Sequence, residues 1–160
     1  MPPVLRGIKM NCAVAFGRQG EKVGIGVTVR DSTGEVLACC SQSFGPNINT
    51  TTSKLVALQR GLQFGVDYGL FPSVLEMDDV HLIDWVNSGN HFDSEFGAIL
   101  RDILQLPVCF QGLLFCHVLA SANKAAKGLA NYVFGGADDT FWMEEYPNCI
   151  SDVIGVEKSV

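Results

Sequence analysis

The stretch Val74-Leu75-Glu76-Met77-Asp78-Asp79 brings together residues that could do chemistry: a short apolar run ends on acidic residues and passes straight into a helical pattern. Pro72 and Ser73 break the preceding element, Val74 and Leu75 have strand character, and Asp79 is placed to cap a helix over Val80-His81-Leu82-Ile83-Asp84-Trp85-Val86. The end of a buried strand is where α/β proteins open their clefts. Asp78 is thereby predicted to stand at the edge of a sheet, facing such a cleft, and any reaction there needs partners from elsewhere in the chain.

Other reactive residue types lack the spacing that chemistry requires. The six cysteines, Cys12, Cys39, Cys40, Cys109, Cys116 and Cys149, show no CxxC pairing and lie mostly in apolar strand-like runs, so they read as reduced core thiols. Cys39 and Cys40 are neighbours that could bridge only with strain, which points to strand packing. His81 and His91 sit in polar contexts without ligand spacing and read as surface residues. Gly24-Ile25-Gly26 lies inside a strand pattern and lacks the third glycine and following helix of a phosphate loop. Phe64 follows a helical apolar pattern and belongs to a core, whereas Trp85, on a short helix, is a candidate to stack on a base.

The elements that must position these residues follow from periodicity and turn signals. Residues 8–16, 23–30 and 35–40 have strand character and are separated by turn signals, including Asp31-Ser32-Thr33-Gly34, so they form a meander. Thr51 or Thr52 can cap a long helix with Leu55, Leu58, Leu62 and Val66 on one face, closed by Gly69. After the Val74 strand and the Leu82 helix, Asp93 or Ser94 caps a helix with a Phe96, Ile99, Leu100 and Ile103 stripe. Residues 112–118 form a last strand and 123–134 a last helix. The order βββ-α-β-α-α-β-α implies an α/β fold, with a mixed five-stranded sheet flanked by helices. Its first three strands form an antiparallel meander, and the other two alternate with helices.

At 160 residues and 48% hydrophobic content the chain is expected to be one domain with its own core. No apolar run approaches the ~20 residues that span a bilayer, and the start lacks the layout of a signal peptide. The expectation is an intracellular protein, cytoplasmic or nuclear, with no membrane partner and an idle Asn49-Thr50-Thr51 sequon. A net charge of −6 argues against a strong nonspecific grip on nucleic acid unless the 11 basic residues cluster.

Several stretches resemble the ribonuclease H-like domains, specifically those of plant proteins and reverse-transcriptase-associated retroelement modules. They are Pro2-Pro3, Gly7, Lys9 and Asn11; Arg30-Asp31-Ser32 with Gly34-Glu35-Val36-Leu37; Ala57-Leu58 with Gly61-Leu62; Glu76 and Asp78; and His117-Val118 with Ala122-Asn123 and Leu129-Ala130. Trp142-Met143-Glu144-Glu145-Tyr146-Pro147 is similar to the family's ending. The resemblance places a ribonuclease H-like domain over residues 1–135, with residues 136–160 as a tail extending it.

The resemblance also implies a damaged site. Active members hold two Mg²⁺ ions with four carboxylates, because in-line displacement at phosphorus needs both the attacking and leaving oxygens on metal. Those positions fall on Ala13, Lys54, Asp78 and Lys127, so only Asp78 keeps a carboxylate; His117 matches the family's mobile histidine. Two ammonium groups would stand where cations belong, and like charges about 4 Å apart repel by roughly 4 kcal/mol at an effective dielectric near 20. No cofactor and no metal are expected, and only Glu76, Asp79 or Glu21 could supply ligands from neighbouring positions.

Lys54 lies in the first turn of its helix, where the dipole disfavours a cation, so it needs an anion nearby. Lys54, Lys127 or both are therefore expected to approach Asp78, the alternative being that both lysines extend to water around a pocket that has lost its role. The function so implied is a catalytically inactive module that binds RNA/DNA hybrid or other nucleic acid through Lys54, Lys124, Lys127 and Asn123. The alternative is a protein-interaction domain on the same fold, and residual hybrid cleavage is the third reading. One positive surface built from Lys54, Lys124, Lys127 and Arg60 would favour nucleic acid, and internal pairing of the lysines would favour a protein partner.

Overall fold

The computed structural model describes residues 7–18, 21–47, 49–88, 95–104 and 112–158. Three strands, β1 (Lys9–Phe16), β2 (Val23–Arg30) and β3 (Val36–Phe44), form an antiparallel meander. The β2–β3 turn is held by Asp31, whose Oδ1 accepts hydrogen bonds from Thr33 N at 2.8 Å and Glu35 N at 3.1 Å. β4 (Val74–Met77) lies parallel to β1, and β5 (Leu114–His117) lies parallel to β4.

The sheet has six strands rather than the expected five. Thr140–Met143 forms β6, which pairs antiparallel with β3, and the sheet order is β5-β4-β1-β2-β3-β6. Four residues give little periodicity to read, and this pairing joins segments about a hundred positions apart. The helices are α1 (Thr50–Tyr68), α2 (Val80–Ser88), α3 (Glu95–Leu104), α4 (Lys124–Tyr132) and α5 (Ser151–Lys158). Short 3₁₀ turns precede α4 at Ala120–Ala122, follow it at Val133–Gly135 and precede α5 at Asn148–Ile150.

Alternation along the strands sends side chains into two apolar layers. Cys40 joins Met10, Cys12 and Val27 against Leu55, Leu58 and Leu62 of α1, while its neighbour Cys39 packs with Ala125, Leu129, Ile150 and Ile154 under α4 and α5. The adjacent thiols thus serve opposite faces, as strand packing requires. Burial pushes the Cys39 and Cys40 thiols up to about 12 and Cys12 higher still, and all five described cysteines are free thiols.

Gly24 and Gly26 are needed because α4 lies directly on β2: a Cβ at either position would meet the backbone carbonyl oxygen of Ala130 or Ala126. α1 ends at Gly69 in the left-handed conformation, as its position suggests, but its N-cap is Asn49, whose side chain accepts from Thr52 N at 2.7 Å. Thr51 and Thr52, the expected caps, already lie within the helix. Asp79 caps α2 as expected, accepting from Leu82 N at 2.9 Å. His91, Asp93, Ser94 and Cys109 lie outside the described residues; Ile99 of the expected α3 stripe packs on the α1-side core. Among the described residues no helix is long and apolar enough to cross a membrane.

Candidate functional site

β1 and β4 are parallel neighbours, and the sequence-predicted site residues come from five elements around them. Ala13 lies in β1 opposite Gly26, is 1% exposed and offers only a methyl group. Asp78 follows β4 directly and is exposed. Lys54 comes from the second turn of α1, one turn later than expected because the cap is Asn49, and Lys127 from α4. His117 ends β5 opposite Met77 and is exposed. A methyl group and two ammonium groups are not metal ligands, so these four places do not make a carboxylate cradle.

The lysines do not gather on Asp78, contrary to the expectation. Lys54 Nζ bonds Asp79 Oδ2 at 2.6 Å, and Lys127 Nζ donates to the Val14 carbonyl oxygen at 2.6 Å. The reason is local: Asp79 is the α2 N-cap, so Oδ1 takes Leu82 N while Oδ2 faces α1. Asp78, one residue earlier, instead accepts from Asn123 Nδ2 at 3.2 Å. Burial alone would raise the Asp79 carboxyl, but hydrogen bonds from Lys54 and Leu82 N and the charge of Lys54 bring it below its ordinary value.

Asn123 sits at the centre of a network that the sequence did not reveal. It is 2% exposed, and its Nδ2 donates to the Cys12 carbonyl at 3.0 Å as well as to Asp78. Its Oδ1 accepts from Asn11 Nδ2 at 3.0 Å, and Asn11 also donates to Glu76 Oε1 at 3.1 Å. Lys9 Nζ lies 3.8 Å from Glu76 Oε2, which extends the chain of polar contacts to the surface. Asn123 therefore ties the start of α4 to β1 and to the end of β4, and its amide faces inward, away from any ligand on the surface. The available signal was Asn11 itself, a polar residue in the middle of an otherwise apolar strand run.

These bonds decide where positive charge remains. The charge of Lys54 is balanced by Asp79, and Arg60 turns to Gln42 and the Ser43 carbonyl, with its guanidinium 5.2 Å from the centre of the Phe44 ring. The acceptor of Lys127 is a neutral carbonyl, so its charge is not cancelled. Lys124 and Lys127, both exposed, are three residues apart on one side of α4. The four cations thus do not form one surface; the remaining basic feature is this pair on α4. Glu76 and Asp79 are engaged by Asn11 and Lys54, Glu21 is exposed on the approach to β2, and among the described residues no three His, Cys, Asp or Glu side chains are grouped to hold a metal ion. Phe64 is buried as expected, and Trp85 is half-buried against the α1-side core.

Solved structures with a similar fold include ribonucleases H. RNase H1 from the halophilic archaeon Halobacterium salinarum superposes with a TM-score of 0.67 at 18% identity, covering 81% of this chain and 98% of its own. The N-terminal RNase H domain of a Mycobacterium tuberculosis protein gives 0.65 at 16% identity, covering 81% of this chain and 94% of its own. LC11-RNase H1, isolated from compost by a metagenomic approach, gives in its structure with an RNA/DNA hybrid a TM-score of 0.58 at 20% identity, covering 78% of this chain and 94% of its own. No curated protein sequence matches. The profile of the reverse transcriptase-like family matches residues 11–133. With a fold shared with ribonuclease H and a profile match over most of its length, the chain belongs to the reverse transcriptase-like family.

Proposed function

We propose that this protein is a catalytically inactive ribonuclease H-like domain that binds nucleic acid, an RNA/DNA hybrid or RNA, without cleaving it. The observation that carries this reading is the replacement of the carboxylate cradle by Ala13, Lys54 and Lys127, with Lys54 tied to Asp79. Mg²⁺ is bound reluctantly and takes carboxylates together with phosphate oxygens, so a site holding Asp78 and two lysines is a poor home for it. Lys54 and Arg60 are engaged within the protein, which weighs toward a protein partner; of the changed positions Lys127 alone keeps an uncancelled charge that suits an anionic ligand. Lys124 and Lys127 on α4 offer phosphate contacts, and the fold is one on which LC11-RNase H1 was solved with a hybrid. Anisotropy of a labelled RNA/DNA hybrid titrated with the protein at two salt concentrations tests it: saturable binding that weakens with salt is expected. Absence of binding at low salt removes the reading.

A second reading, a protein-interaction domain, has its own observation. β6 is an edge strand carrying exposed Phe141 and Met143, with Phe141 6.4 Å from the exposed ring of Tyr68. Asp138, Asp139, Glu144 and Glu145 flank this strand. An apolar strand edge between acidic residues suits an extended basic segment of another protein.

A further inference from the structure

Asn123 occupies the N-cap of α4, yet its side chain makes no capping bond because the amide is committed to Cys12, Asp78 and Asn11. The first N–H groups of a helix have no acceptors inside it, so α4 needs an anion or acceptor from outside. One comes from α5: Glu157 Oε1 accepts from Ala125 N at 3.3 Å. The same oxygen accepts from Arg30 Nη2 at 2.9 Å.

Arg30 is 7% exposed, and its buried Nε has no hydrogen-bond partner. A buried guanidinium therefore faces a helix N-terminus across a single oxygen, with donor capacity unused. Helix N-termini and arginine forks are what proteins use to hold phosphate. Beside this point opens a cavity of about 470 Å³, lined by Lys9, Arg30, Ser121, Ala122, Val156 and Glu157 among others. Two further carboxylates at its wall are already occupied: Asp31 holds its own turn through Thr33 and Glu35, and Glu76 is held by Asn11 and Lys9.

We propose that Arg30 and the N-terminus of α4 form a phosphate-class anion site, which the chain's own Glu157 fills until a phosphate group displaces it. α5 is suited to give way at its far end. It is anchored by Ile154 in its first half and by Ile150 in the 3₁₀ turn before it, whereas Gly155 follows and Val156 is 65% exposed. Lys124, the first residue of α4, stands next to the site, so a backbone phosphate of nucleic acid is its natural source; this assignment, unlike the anion site itself, rests on the nucleic-acid reading.

The test compares thermal melts of wild type and Glu157→Gln in chloride and in inorganic phosphate at matched ionic strength. In chloride Glu157→Gln melts below wild type; phosphate raises its Tm several degrees more than that of wild type, and adding Arg30→Met abolishes the gain. If Glu157→Gln folds only in phosphate, that is the same result in stronger form. Equal shifts for variant and wild type, or folding in neither medium, overturn the site. Hybrid anisotropy then separates the sources: several-fold tighter binding by Glu157→Gln, with a steeper salt dependence, assigns the site to the nucleic-acid backbone, and unchanged affinity with phosphate rescue intact assigns it to free phosphate. If wild type and variant both ignore the hybrid while phosphate rescue persists, the proposed function fails and the anion site stands.

Discussion

Lys54 Nζ lies 2.6 Å from Asp79 Oδ2, joining the second turn of α1 to the cap of α2, with both side chains a little over one-fifth exposed. Asp79 thus does two jobs, capping α2 with one oxygen and balancing Lys54 with the other. Its exposed neighbour Asp78 does neither. Asp79→Ala is expected to cost about 1–2 kcal/mol from the lost cap and partly screened ion pair. At this chain length that is a Tm decrease of roughly 3–6 °C. Asp78→Ala, which gives up only the 3.2 Å hydrogen bond from Asn123, should cost less, about 0.5–1 kcal/mol. Thermal melts of the two variants side by side check the assignment, and the reverse order of effects would restore Asp78 as the partner of the lysines.

Acid should weaken the same contact. Because the Asp79 carboxyl is held below its ordinary value of 3.8, the unfolded chain binds this proton more readily than the folded one. The stabilisation is fully present above that ordinary value and is lost as pH falls through the lower folded value. Lys54→Met removes the main charged partner and should flatten the acid limb of a stability–pH curve below about pH 4. Urea unfolding across pH 2–6 for wild type and variant gives the comparison.

Asn123→Ala should be far more damaging than its single-residue size suggests. It leaves the Cys12 carbonyl and one Asn11 donation without their partner in a buried setting. With about 1–3 kcal/mol for each orphaned group, a loss of roughly 2–4 kcal/mol is expected in urea unfolding. Asn123→Asp should not rescue it, since a second carboxylate would face Asp78 and could not donate to Cys12.

Gly26→Ala tests the contact between α4 and the sheet. Its Cβ would meet the Ala126 carbonyl, a backbone atom that moves only with the helix. A cost of about 1–3 kcal/mol is expected, as for overpacking generally. Because Lys124 and Lys127 ride on α4, hybrid affinity should fall along with stability.

What could be read from the sequence was mostly local. Gly69 and Asp79 announce a helix end and a helix start because capping acts within a few residues, and the meander follows from three strand-like runs divided by turns. The long-range choices were not legible. β6 depends on pairing between Phe141 and Cys40, and nothing in Thr140–Met143 alone names that partner. The choice of Asp79 over Asp78 by Lys54 depends on which way two consecutive carboxylates face as the chain leaves β4 and enters α2. Asn11, Glu76 and Asn123 belong to three separate elements, and only their packing shows that they share hydrogen bonds. Asn123, expected from the resemblance to touch nucleic acid, has its amide turned inward by that same packing.

The most direct test of the central claim places a labelled RNA/DNA hybrid and the protein in one sample with Mg²⁺, following anisotropy first and strand integrity afterwards. The account predicts saturable, salt-sensitive binding that weakens when Lys124 and Lys127 are changed to alanine, with the RNA strand intact after prolonged incubation. RNA cleavage that disappears in Asp78→Asn would contradict it, because a working nuclease site would then persist around Asp78.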